Sequence, residues 1–339
     1  MPTLTAARGI HVTPRLPDFS FGDEALRPWF GGDPGKTAAW NALGVLAGVG
    51  EASFIEAARA LLPHLDDADT IDEVGAFIQQ EAAHAAVHAR FNRVLAEHGF
   101  PVEATRALMH DLVAGVESRV GLDGLGAASL AGELVIGEFG HCMIDDPAYL
   151  ADADPLPRAL WLWHSYEVVE HQAALHDAWC RVHGTDKAAR DLRMVGLVYL
   201  VTVVGVAWPV ATWAMLEAAQ PRASRSRATW RGLYDILLGP RGLLGRVSRN
   251  LSAVSTVGFH PFSVREPTKA LDAHRDALVR PEWVVPARAA KPPAQATPHV
   301  GVGFNVRAAI TYAGFVGFAL RRGFAYVREV RASARITAT

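Results

Sequence analysis

Two short segments of the chain carry glutamate and histidine at spacings suited to metal binding on a helix. They are Gln80–His88 and His164–His171. Because a helix turns about 100° per residue, residues three, four or seven apart lie on one face. The residues that share a face in this way are Glu81, His84 and His88 in the first segment, and His164, Glu167 and His171 in the second.

Two further glutamates, Glu51 and Glu133, stand in apolar stretches of other predicted helices. A buried carboxylate without a partner is costly, so we expect each to have one. In chain order the residues give Glu, Glu-x-x-His, Glu and a Glu/His group, which is the ligand order of two-metal carboxylate sites in four-helix bundles. The predicted metal ligands are therefore Glu51, Glu81, His84, Glu133, Glu167 and His171.

The second segment leaves the ligand set open. Glu167 and His171 are four residues apart, whereas Glu170 follows Glu167 by three. Either Glu167 and His171 bind directly, or Glu170 takes part with a changed set. His88 and His164 are additional ligands, or outer partners that orient a carboxylate.

Other polar residues are given simpler interpretations. Glu138 and His141 are three apart on the predicted Glu133 helix and are expected to be polar surface. His260 lies beside proline and two aromatic residues, which is typical of a packed turn. His176 has no partner at a useful spacing.

The elements that must position these residues are predicted to be helices. Apolar periodicity and turn signals predict them at about 37–64, 70–98, 102–120, 123–144, 156–184 and 188–219. The predicted fold is all-α: a ferritin-like helical bundle with additional C-terminal helices. The predicted organisation is an extended arm over 1–36, a metal-binding bundle over 37–184, an apolar helix and C-terminal helices packed on it over 185–280, a Pro-rich linker over 281–300, and a helix and tail over 301–339.

Met194–Leu216 is a run of 23 residues without charge, which is long enough to cross a bilayer. Pro209 lies inside it, and basic residues at both ends indicate no orientation. We expect a helix buried on all sides of the bundle, with membrane contact as the alternative. Ala308–Leu320 is short for a span and suits a packed or interfacial helix.

Composition narrows the class of protein. The 33 Lys+Arg nearly balance the 35 Asp+Glu, so no basic face indicates a nucleic-acid partner. Two cysteines are too few for a disulfide framework and favour a reducing compartment. No apolar segment of signal-peptide length is present near the N-terminus. The expected location is the cytoplasm, with membrane association as the alternative.

Several segments resemble those of the bacterial proteins known as predicted metal-dependent hydrolases. They are Trp29–Pro34, Gly50–Phe54, Phe77–His84, Trp163–His171 and Gly258–Pro261, and the resemblance extends from about residue 10 to 270. The resemblance implies that the protein is a metal-dependent hydrolase. The same residues are similar to those of ferritin-like diiron proteins, from which the second segment departs by having Glu-x-x-Glu-His in place of Glu-x-x-His.

The ligand types favour a particular chemistry. A carboxylate-rich site with a few imidazoles suits two ions of iron, or of manganese. The predicted function is a diiron oxidase or oxygenase that uses O2 on a small apolar or amphipathic substrate. The alternatives are a hydrolase whose metal pair activates water, and a non-catalytic metal-binding or storage protein. The expected partners are the small-molecule substrate and O2, and in addition a redox partner protein or a second copy of the chain in a homodimer.

Overall fold

The computed structural model describes residues 9–146, 148–240, 242–286, 288 and 306–336. Within these ranges the regular structure is α- and 3₁₀-helix, with two isolated β-bridges and no strand. The prediction of an all-α fold is confirmed.

The first two long helices begin where the sequence supplies caps. Helix α1 spans Pro34–Leu61, and the Asp33 carboxylate accepts hydrogen bonds from the first backbone amides of the helix. Helix α2 spans Ala68–Glu97 and is capped by Asp67. An aspartate at this position satisfies amides that have no partner within the helix.

Helix α3 spans Val102–Asp145 and is interrupted at Gly121. The φ angle of Gly121 is +66° and its ψ is −173°, a conformation essentially confined to glycine. The interruption falls between the two helices predicted at 102–120 and 123–144. The segment after Gly121 carries Glu133.

The prediction of one continuous helix over 156–184 is wrong. The structure has α4 at Pro155–His171 and α5 at Ala174–His183, with the chain turning at Gln172 and Ala173. Neither residue is Gly or Pro, so the pattern carried no signal for the break. The Gln172 side chain is occupied by His141 and by the backbone oxygen of Arg265.

Helix α6, Lys187–Ala219, packs against α1 and α3. The expectation of burial on all sides is wrong, because Val201, Gly205 and Pro209 are exposed while Val203 and Ala207 on the opposite face are buried. Two helices, α3 and α6, are long and apolar enough to cross a membrane by length and composition alone, and a core helix of a soluble protein passes the same test.

The C-terminal part adds α7 at Arg227–Leu237, α8 at Leu243–Leu251, α9 at Thr268–Leu278 and α10 at Val306–Ile336. Helix α10 packs on α3 and α6 and is longer than the 13-residue stretch predicted. Within the Pro-rich stretch, Pro281–Trp283 forms a 3₁₀ turn with Trp283 buried, instead of extended linker. Residues 289–300 lie outside the described ranges.

The N-terminal arm lies against the bundle. Apart from a 3₁₀ turn at Asp23–Leu26, residues 9–33 have no helix. They are nonetheless anchored: Arg15 is only 5 % exposed, and Trp29 and Phe30 are buried. The arm thereby brings a charged side chain into the interior, beside α4.

Candidate metal centre

Four helices converge on one group of buried acids and imidazoles. Helix α1 contributes one side chain, α2 three, α3 one and α4 three, and each is at most 4 % exposed. We call this group the Glu–His cluster; its members are Glu51, Glu81, His84, His88, Glu133, His164, Glu167 and His171. It contains all six predicted ligands together with both additional histidines.

The first half of the cluster contains Glu81, Glu133 and His171. The His171 Nε2 atom lies 3.1 Å from Glu81 Oε1 and 3.3 Å from Glu133 Oε2. One ligand atom from each of the three residues lies within 4.8 Å of the others, so they could hold a metal ion.

The second half contains Glu51, His88 and His164. The His88 Nε2 atom lies 2.8 Å from His164 Nδ1 and 3.7 Å from Glu51 Oε1. These three residues also offer ligand atoms within 4.8 Å of one another. Both histidines therefore lie within the same buried group as Glu51, and the three together could hold a metal ion.

His84 connects the two halves, and Glu167 contacts His84. His84 Nε2 lies 3.0 Å from Glu167 Oε2, and His84 Nδ1 lies 3.5 Å from Glu81 Oε1. The His84 ring stacks on His164 at a centroid distance of 4.3 Å. The cluster is therefore continuous from one half to the other.

Several buried ligand atoms in the cluster have no hydrogen-bond partner among the described residues. They are both carboxylate oxygens of Glu51, Oε2 of Glu81 and Oε1 of Glu133. Nδ1 of His84 and Nε2 of His171 lie within ion-pair distance of Glu81 but without hydrogen-bond geometry. Leaving such atoms unsatisfied costs about 1–3 kcal/mol each. Oxygen and imidazole donors of this kind are typical metal ligands, so these residues fit a metal site.

The carboxyl groups of the cluster differ in their pKa values. Burial and the neighbouring Glu81 raise the pKa of Glu51 well above its usual range and that of Glu133 to about 7. Burial would also raise the pKa of Glu81, but His171 and His84 outweigh it and lower the pKa to about 2. The protein alone therefore holds Glu81 as the anion and favours the proton on Glu51.

The histidines divide in the same way. Burial would lower the pKa of His84, but the Glu167 and Glu81 carboxylates raise it to about 10. Glu133 and Glu81 likewise overcome burial and raise the pKa of His171 to about 9. Burial and the charge on His84 lower the pKa of His88 to about 3. The imidazoles therefore differ in charge: His84 and His171 favour the protonated form, and His88 favours the neutral form.

Glu170, the alternative ligand on α4, is occupied elsewhere. Its Oε2 accepts hydrogen bonds from the Arg15 guanidinium at 2.9 Å, the Gln80 amide at 2.7 Å and the Thr13 backbone at 3.0 Å. Arg15 also donates to Glu167 Oε1 at 3.0 Å. The structure therefore places Glu170 in a buried ion pair beside the cluster.

Gln80 and Arg15 were not identified as site residues in the sequence. Gln80 Oε1 accepts a hydrogen bond from His171 Nδ1 at 2.9 Å, which leaves Nε2 of that ring facing Glu81 and Glu133. A partner of this kind fixes the tautomer and orientation of a metal-binding histidine. The position of Gln80 directly before Glu81 was the only available signal, and Arg15 had none.

Two expectations about other residues are wrong. His141 is fully buried, with Nε2 3.1 Å from the Gln172 side chain, and is not surface. His176 does have partners, because the fold brings Asp177 and His260 together with it. His260 itself lies in a packed turn, as expected: its Nε2 donates to Asp177 at 2.9 Å and its Nδ1 accepts the Phe262 amide.

An apolar cavity of about 110 Å³ lies between α1, α3 and α6. We call it the inner cavity. Gly50 and Gly132, the chain neighbours of Glu51 and Glu133, line it, as does Phe54. A Cβ atom added to Gly132 would lie 2.8 Å from the Phe54 ring. The glycine therefore lets this ring pack closely against α3 next to the cluster.

Comparison with known proteins gives one match. The model of a protein family described as "Predicted metal-dependent hydrolase" matches residues 13–264. This range contains the whole Glu–His cluster, together with Arg15 and Gln80. No curated protein and no solved structure matches the chain.

Proposed function

The chain belongs to the family of predicted metal-dependent hydrolases, and we propose that its Glu–His cluster holds two metal ions, iron or manganese, and oxidises an apolar or amphipathic substrate with O2. The observation that carries the proposal is the set of buried ligand atoms, contributed by α1, α2, α3 and α4, that have no hydrogen-bond partner in the part of the chain that the structure describes. A four-helix bundle that presents inward glutamate and histidine is a recurrent setting for such pairs.

We infer the ligands from the two halves of the cluster. Glu81, Glu133 and His171 would hold one ion, and Glu51, His88 and His164 the other. His84 lies between the halves, near Glu81 on one side and His164 on the other, and it contacts Glu167. When bound, such a pair supplies either electrons for the reduction of O2 or Lewis acidity that activates water.

The remaining residues orient ligands and exclude water. Gln80 holds the His171 ring through Nδ1, and Arg15 holds Glu167 through its Oε1. The apolar walls of the inner cavity favour a hydrocarbon group beside the cluster. This lining supports oxidation, because a hydrolytic site must also bind the polar groups on both sides of the bond that is cleaved.

Hydrolysis is the second candidate function, and the family description supports it. In that case the cluster would act on an ester or amide whose apolar part occupies the inner cavity. Metal storage is a third class, and it would require assembly into a shell with many metal ions per chain.

One pair of assays separates these functions. Metal analysis of protein grown with iron and manganese should find close to two ions per chain. The ferrous protein, prepared without oxygen, should consume O2 and develop near-ultraviolet absorption of oxo-bridged iron. If the protein does not consume O2 but cleaves esters or amides when manganese or zinc is bound, it is a hydrolase instead.

A further inference from the structure

A second cavity, of about 600 Å³, opens between α6, α7 and α8. We call it the outer cavity. Among the described residues no charged side chain lines it, and the lining includes five large hydrophobic side chains that are 36–59 % exposed: Val201, Trp230, Tyr234, Leu238 and Leu244. A concentration of exposed apolar side chains around one opening marks a contact surface.

The outer cavity adjoins the inner cavity. Val135, Phe139, Val204 and Trp208 line both, so the two share a wall formed by α3 and α6. The inner cavity extends to Gly50 and Gly132, next to two ligands of the cluster. Apolar side chains therefore line two adjoining cavities between the surface and the chain neighbours of Glu51 and Glu133, with one shared wall between the cavities.

The charges around the opening are basic. Helix α7 contains one acidic residue, Asp235, whereas four exposed arginines lie on this helix or just before it: Arg222, Arg225, Arg227 and Arg231. None of the four forms an ion pair with a residue that the structure describes. Arginines flanking exposed Trp230 and Tyr234 are typical of a helix that lies in the interface of an anionic membrane.

The packing of α6 favours contact with a membrane surface over crossing. Tyr199, Val203 and Ala207 are buried on its inner side, against the body that carries the cluster. Its outer side, with Val201, Gly205 and Pro209 exposed, belongs to the same surface as the opening. Crossing a bilayer would strip α6 of its contacts with α1 and α3.

We propose that the face formed by α6, α7 and α8 docks on an anionic lipid bilayer, and that the two cavities receive the hydrocarbon chain of a long-chain amphiphile. The assignment of a substrate class rests on the proposed function, because the amphiphile would be the substrate of the same metal centre. Docking itself requires only the opening, its exposed apolar side chains and its arginines.

Vesicle sedimentation tests docking. The whole chain should pellet with vesicles of phosphatidylcholine mixed with phosphatidylglycerol, and remain in solution with phosphatidylcholine alone. Leu238→Asp and Arg231→Glu should each reduce the bound fraction severalfold. The matched control is Leu16→Asp, at an exposed leucine on the N-terminal arm, and it should bind like the unchanged protein. Circular dichroism verifies that each variant is folded.

Calorimetric titration with saturated fatty acids tests the cavities. Affinity should rise by about fourfold for each added CH2 until the cavities are filled. Val204→Trp, in the shared wall, should weaken binding of the longer acids more than that of the shorter ones. Affinity that does not depend on chain length overturns the cavity assignment.

Both measurements are made on metal-free and on metal-loaded protein. Retained vesicle and fatty-acid binding with no O2 consumption would refute the proposed function and leave docking and chain binding established. Normal O2 consumption with no vesicle binding would refute docking. If light scattering shows that Leu238→Asp abolishes self-association instead, the face joins two copies of the chain and the membrane inference is wrong.

Discussion

At the scale of the residue, the cluster concentrates more ionisable groups than a protein interior ordinarily holds. Four carboxyl groups and four imidazoles are buried together, and several of their polar atoms have no hydrogen-bond partner among the described residues. Such an arrangement is costly for a protein without metal and is relieved by cations that bind those atoms.

Replacing Glu133 with alanine should therefore remove metal without unfolding the protein. Glu133 offers one ligand to the half-site that contains Glu81 and His171. We expect the variant to lose at least one metal ion per chain, measured by metal analysis, while helical circular dichroism persists. Glu138→Ala is the control on the same helix, since Glu138 contacts Asn250 and not the cluster. Loss of metal in both variants would contradict the assignment.

Metal affinity should rise with pH across the neutral range. The pKa of His84 is raised to about 10 and that of His171 to about 9, so both rings hold a proton at neutral pH in the metal-free protein. A metal ion binds the neutral ring, and each ligation releases a proton. Competition with a colorimetric chelator at several pH values should show tighter binding as pH increases. Affinity that is flat or falls with pH would show that the rings are already neutral.

Gln80→Leu should weaken metal binding although Gln80 is a positioning residue and not a ligand. Its amide fixes the His171 ring and also donates to Glu170. Loss of such a partner typically costs about 10–100-fold in metal affinity. Gln79→Leu is the matched control, because the Gln79 side chain contacts the backbone of Gly75 and Arg288 and not the cluster, and it should retain the affinity of the unchanged protein in the same chelator assay. Equal affinity in the two variants would contradict a positioning role.

At the scale of the element, the helices are placed by their ends and interruptions. Aspartates begin α1 and α2, and Gly121 divides α3. The segment after Gly121 is the one that presents Glu133 to α2 and α4. The geometry of this interruption therefore contributes to the metal centre although Gly121 contacts none of its ligands.

Gly121→Ala should destabilise the fold by about 1–3 kcal/mol, because its φ and ψ angles suit only glycine. Gly126→Ala is a matched control on the same helix. A Cβ atom at either position would meet no atom within 4 Å, but only Gly121 has positive φ. Gly126→Ala should be neutral or stabilising by about 0.5–1 kcal/mol. Urea unfolding of the two variants measures the difference, and equal stabilities would show that the backbone at Gly121 relaxes freely.

At the scale of the whole molecule, the interior of the bundle and the surface beyond α6 differ in chemical character. The interior between α1, α2, α3 and α4 collects the polar ligands, while α6 separates the inner cavity from a surface with exposed hydrophobic side chains. The N-terminal arm covers the side of the cluster where Arg15 contacts Glu167 and Glu170. Residues that are distant in sequence therefore complete one site.

The chain should behave in cells as a peripheral protein and not as a spanning one. After expression, high salt should release it from membranes, because the arginines beside the opening act through charge that salt screens. Sedimentation of the membrane fraction with and without salt measures the release. If detergent extracts the protein but high salt does not, α6 inserts into the bilayer and the prediction of a peripheral protein is wrong.

The sequence determined the all-α class, the approximate boundaries of the helices from α1 to α6 apart from the break between α4 and α5, and the residues that α1, α2, α3 and α4 bring together. These features depend on periodicity, caps and ligand spacing, which are local. The tertiary structure decided what local patterns cannot express. It divided the predicted 156–184 helix without a Gly or Pro signal, and buried His141. It also paired Glu170 with Arg15 across 155 residues and exposed one side of α6, because packing partners are chosen by shape and charge in three dimensions.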